Sequence, residues 1–95
     1  MKLSKEEIDK RLAELPEWTV AGGRLHREYK FPSFSLAIGF IAAAAPGIEK
    51  MDHHPEWANV YNRVTVDLIS HDANGITERD FRLAQLLEGI AQKLI

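Results

Sequence analysis

At 95 residues the chain is the size of one small domain, which buries only about 60 to 65% of its unfolded surface and therefore leans on an economical core or on self-association. Its 12 Lys and Arg against 14 Asp and Glu leave a net charge of −2, which offers no basic field for nucleic acid and no polybasic patch for a membrane. The absence of cysteine excludes disulfides, thiolate metal sites and cysteine nucleophiles together.

The start, MKLSKEEIDKRL, has no apolar targeting core and turns acidic at once, so a helix start in a cytoplasmic protein is expected. Ser4 and Glu7 have capping-box spacing, and Ile8, Leu12 and Leu15 recur at helical intervals until Pro16, predicting a first helix of about ten residues. The period then switches. Trp18 to Val20 and Leu25 to Phe31 read as two short strands around Gly22-Gly23. Pro32 and Ser33 open a second helix with an expected stripe of Phe34, Ala37, Ile38, Ile41 and Ala45. Pro46-Gly47 lies inside it, at a cost of about 3 kcal/mol unless the helix bends or ends, so a kink or an irregular turn is expected before Glu49. The same run, FSLAIGFIAAAAPGI, reads as too short and interrupted to span a membrane.

After Pro55, Glu56 to Tyr61 and Arg63 to Ser70 read as a second hairpin, with Val64, Val66 and Leu68 alternating against Thr65, Asp67 and Ile69, and His71 sharing the latter face. Asp72 to Gly75 is a turn. Thr77 with Asp80 opens a last helix whose stripe is Phe81, Ala84, Leu87, Ala91 and Leu94, widened by Leu83, Leu86 and Ile90 beyond what a small sheet requires. The order α-β-β-α-β-β-α predicts a single α+β domain over 1–95, a four-stranded antiparallel sheet with helices on one face.

The chemistry concentrates in EKMDHHPEW. Pro55 biases His54 towards an extended backbone, so His53 and His54 point to opposite sides and do not share one task. In a hairpin closed near Tyr61-Asn62, counting back from His71 lands on residues 52 to 54, which brings a third imidazole to the pair. With Glu49, Asp52, Asp72 and Asp80 nearby, this is a place to exchange protons near neutral pH. Adjacent histidines lack the i, i+4 spacing and the companion ligand of a zinc site. Ser70, His71 and Asp72 are sequence neighbours and cannot form a triad relay, and Gly22-Gly23 lacks the context of a phosphate loop. Several residues keep an ordinary reading: His26 as surface filler, Trp57 as core or as a stacking platform, Asp80 as a helix cap, Arg79 as a solvated charge or a substrate contact.

Glu49, three residues, His53-His54-Pro55, five, Tyr61, nine, His71, eight, Asp80 is similar to the signature of the pterin-4a-carbinolamine dehydratases, as are the surrounding EKMDHHPEW, NVYN and GITERD. The resemblance implies a lyase that removes water from a 4a-hydroxytetrahydropterin, without metal or other cofactor, in tetrahydropterin recycling after aromatic amino-acid hydroxylation. It implies a catalytic set of His53, His71 and Asp80, and a substrate side of Glu49, Asp52, His54, Ser70 and Asp72 lining the same pocket. Within it, His53 and His71 take the acid/base roles, His54 holds the pterin, and Glu49 and Asp80 orient or tune the imidazoles. Ala42 to Gly47 departs from the family's pattern in the helix that pairs dimers into tetramers, so a homodimer sharing a continuous sheet is expected, with a homotetramer as the alternative.

Some animal relatives also serve as a dimerisation cofactor for a homeodomain transcription factor. The competing expectations are therefore an interaction module with idle histidines, marked by an exposed stripe of Leu83, Leu86 and Ile90, and a metal-binding or storage protein. A deep pocket with all three imidazoles turned inward would mark the enzyme.

Overall fold

Ser4 begins the fold as its spacing predicts: its side chain accepts from the Glu7 N–H while Glu7 reaches back to the Ser4 N–H, opening α1 (Lys5–Leu12). The computed structural model describes residues 1–95. After α1 come β1 (Thr19–Ala21) and β2 (Arg24–Lys30), joined by Gly22 and Gly23, both at positive φ. Next follow α2 (Phe34–Met51), β3 (Glu56–Val60), β4 (Arg63–Leu68), a 3₁₀ turn over His71–Ala73 and α3 (Glu78–Ala91). The strands form one antiparallel sheet in the order β1-β2-β4-β3. Element order and architecture are those read from the sequence.

One face of the sheet carries Leu25, Tyr29, Val64, Val66 and Leu68, and α2 and α3 cover it. Tyr29, Phe31 and Phe40 stack with centroids 5.1 to 5.9 Å apart, flanked edge-on by Trp18 and Trp57; each such pair is worth about 0.5 to 1.5 kcal/mol beyond its buried area. Trp57 is therefore largely a core residue. Arg11 pairs with Glu78, tying α1 to the start of α3.

Four expectations need correction. Helical conformation continues through Pro46 to Met51, so of the two alternatives expected there the irregular turn is excluded. Pro46 and Ala42, whose carbonyl it leaves without a helical partner, are both exposed, so water can satisfy that carbonyl. The resulting helix has 18 residues and a mean hydropathy of 1.3, long and apolar enough by length and composition to cross a bilayer; its Ala37, Phe40, Ala44 and Ile48 are nonetheless committed to the core. That buried stripe is out of phase with the expected one, for Phe34 and Ile38 remain 50% and 41% exposed. Apolar residues surround this helix, so periodicity alone could not choose which side the sheet would take.

The third correction concerns α3. Leu83 is fully buried, and Leu86 and Ile90 pack against the core. No wide face is left over, because α2 approaches closely at Gly47, where a Cβ would lie 2.8 Å from a Leu86 methyl. Fourth, β4 ends at Leu68 and β3 at Val60. Ser70 keeps only a bridge to Gly75, and His71 belongs to the 3₁₀ turn and not to the strand face.

Candidate active site

The cap of α3 builds the centre of the site. Thr77 accepts from the Arg79 N–H at 3.2 Å, and Asp80 Oδ2 accepts from the Thr77 N–H at 2.8 Å. A cap needs only one carboxylate oxygen. Oδ2 also accepts from the Ser70 hydroxyl at 2.8 Å, whose oxygen lies 2.7 Å from that of Thr77, and Oδ1 meets His53 Nε2 at 2.6 Å. Asp80 is fully buried, Ser70 and Thr77 nearly so, and His53 is 9% exposed. Every buried polar side-chain atom has a partner, which is what makes a carboxylate tolerable there.

The chain reaches this point through Asp52, which ends α2 in the left-handed region (φ 52°, ψ 41°). That bend turns His53 inward and leaves His54 outside, as the opposed directions of an X-X-Pro segment predict. The Asp52 carboxylate itself takes part in none of the site's hydrogen bonds. His54 Nε2 lies 3.1 Å from Glu49 Oε1, both largely exposed. His71 Nε2 lies 3.1 Å from Glu56 Oε2, with 71% of the imidazole in solvent. Each histidine of the cluster thus has its own carboxylate, and only that of His53 is buried.

Asp72 Oδ1 accepts from Arg79 at 2.5 Å, and that hydrogen bond holds the Asp72 carboxyl below the usual carboxylate range. Glu56 also pairs with Arg24 of β2. Sequence reasoning passed over both residues: Glu56 stands inside EKMDHHPEW, but its bond to His71 depends on how far the hairpin strands part beyond Asp67. His26, expected as filler, lies 2.9 Å from Asp67 across the sheet.

None of the three surface cavities is lined by His53, His54 or His71. His53 is buried while His54 and His71 are largely exposed, so the expected pocket with all three turned inward is not what this chain forms by itself. No group of three or more His, Asp and Glu side chains is arranged to hold a metal ion. Tyr61 of the spaced signature lies at the far end of the hairpin, at φ 51°.

A sequence model described as pterin 4 alpha carbinolamine dehydratase matches residues 1–90. The chain belongs to this family. A relative from Solibacter usitatus, provisionally named a pterin-4-alpha-carbinolamine dehydratase, is 57% identical over 90 residues, covering 95% of each chain. A Burkholderia orbicola relative with the same provisional name is 48% identical over 92 residues, or 95% of this chain and 90% of that one. The crystal structure of a transcriptional coactivator/pterin dehydratase from Brucella melitensis superposes with a TM-score of 0.92 at 45% identity, over 96% of this chain and 99% of the other.

Proposed function

We propose that this chain is a cytoplasmic hydro-lyase that converts a 4a-hydroxytetrahydropterin into the quinonoid dihydropterin and water. The observation that carries the reading is the buried Asp80–His53 pair, whose carboxylate is also held by Ser70, the residue before the exposed His71. The reaction breaks the C4a–O bond. The hydroxyl takes a proton and leaves as water, the N5 lone pair forms the C4a=N5 bond, and the N5 proton passes to a base. One acid and one base suffice, each typically worth about 10² to 10⁴ in rate.

As a carboxylate, Asp80 can only accept, so it places the His53 proton on Nε2 and leaves Nδ1 to exchange a proton with substrate. Asp80 is too deep to touch a ligand and acts through His53, with Ser70 and Thr77 holding it in turn. His71 supplies the opposite proton transfer, and His54, steadied by Glu49, positions the ring; Asp52 and Asp72 border the same surface. The decisive experiment follows dehydration of enzymatically generated 4a-hydroxytetrahydropterin by ultraviolet absorbance. Wild-type acceleration abolished in the His53→Ala/His71→Ala double variant supports the reading, whereas a folded wild type without acceleration overturns it.

A second reading, an interaction module, draws on the description of the Brucella relative as a transcriptional coactivator as well as a pterin dehydratase. Since α3 has no apolar face to spare, such a role would use the Phe34 and Ile38 side of α2. We place that surface, and the free edge of the sheet, in contacts between copies of this chain.

A further inference from the structure

His71 sits on a 3₁₀ turn with most of its ring in solvent. An imidazole that exposed rotates freely unless something holds it, and a proton-transfer group must be held in place to act. The neighbouring Asp72 is drawn to Arg79 through Oδ1 and makes no hydrogen bond to the His71 ring. Asp67, the cross-strand partner of Glu56, meets His26 through Oδ1 and makes no hydrogen bond to His71 either. Glu56 Oε2 is the polar side-chain atom that reaches the His71 ring.

Glu56 is in turn anchored. Arg24 extends from β2, past the end of the intervening β4, to Glu56 Oε1 on β3. Glu56 and Asp67 face each other in register, and like charges so placed repel. The Arg24 charge on Glu56 offsets that repulsion and leaves the second oxygen of Glu56 for His71.

We propose that Glu56, clamped by Arg24, is the positioning residue of His71: it accepts from Nε2–H and aims the opposite ring nitrogen at the substrate. This rests on the reading of His71 as one of the proton-transfer pair. Because Glu56 is half exposed and borders an open hollow of about 240 Å³ with Ala58, Thr65 and Asp67, its truncation leaves no buried void and the variants are expected to fold.

The test measures kcat and KM for wild type, Glu56→Ala, Glu56→Gln and Arg24→Ala, with ring ¹⁵N NMR of His71 in each. Glu56→Ala is expected to lose about 10- to 100-fold in kcat with KM changed less than about threefold. Glu56→Gln keeps an acceptor and is expected to recover most of the loss, with Arg24→Ala in between. The His71 Nε2 shift should move in Glu56→Ala and return towards wild type in Glu56→Gln. A folded Glu56→Ala with wild-type kcat, or a His71 Nε2 shift that ignores the substitution, overturns the proposal. An inactive wild type whose His71 shift still follows Glu56 would overturn the dehydratase reading while upholding the positioning contact.

Discussion

Asp80 does two jobs with one side chain, capping α3 through Oδ2 and holding His53 through Oδ1. Asp80→Asn would place an N–H₂ where an acceptor is needed and leave buried donors unpaired, at about 2 to 3 kcal/mol. It should also lose roughly 10²-fold in kcat by releasing the His53 tautomer; urea melts and the dehydration assay read the two effects separately. The histidines are expected to divide by kinetic parameter. His53→Ala and His71→Ala lower kcat by about 10² to 10⁴ with little change in affinity, whereas His54→Ala mainly weakens binding. Equal kcat losses in all three, at unchanged affinity, would contradict this division. Cap spacing made Asp80 legible as a residue near the histidines, but its second partner depends on where the chain bends at Asp52.

Between elements, α3 and the sheet are joined by another carboxylate. Glu88 accepts from Trp18 Nε1 at 2.9 Å, Tyr29 Oη at 2.6 Å and Gln92 at 2.6 Å, with Arg27 alongside. Burial alone would raise its pKa, yet the hydrogen bonds from Tyr29, Gln92 and Trp18 and the Arg27 charge outweigh burial and hold it below the usual 4.5. A carboxylate depressed in the folded state stabilises above its unfolded pKa and loses that contribution as pH falls through the folded one. Stability should therefore fall on acidification below about pH 4.5, less steeply in Glu88→Gln. At neutral pH, Glu88→Ala should cost about 1 to 3 kcal/mol, and thermal melts across pH test both statements. The close approach of α2 and α3 gives a different prediction. Gly47→Ala gains about 1 kcal/mol of helix propensity and meets only the flexible tip of Leu86, so it should be near neutral, while Gly47→Val should cost about 1 to 3 kcal/mol. Capping and period made all three helices readable; the phase of α2 was not, because Ala and Ile surround it.

For the molecule as a whole, a single copy leaves uncovered the Phe34 and Ile38 side of α2 and the outer strands of the sheet, β1 and β3. A small domain with this much exposed apolar helix is expected to self-associate. Light scattering after gel filtration should give twice the chain mass or more, and Phe34→Glu/Ile38→Glu should lower the mass if α2 forms a contact. A monomer at micromolar concentration would return those faces to solvent and remove self-association from the account.

Local rules acting over three to ten residues determined much of this protein from its sequence. Caps at Ser4, Ser33 and Thr77, glycine at positive φ and strand alternation all describe short stretches of chain, and the steps of the signature between Glu49 and Asp80 are each no longer than ten residues. They were enough for the element order and the sheet, and the signature spacing for the family. The tertiary structure alone decided which face of α2 is buried, that α3 has no face to spare, and which carboxylate serves which imidazole. Those outcomes depend on contacts between residues up to 70 positions apart, as in Trp18 with Glu88, and on backbone bends such as Asp52 that carry no periodic signal. Pairings of that kind arise where elements pack, so no single element's pattern contains them.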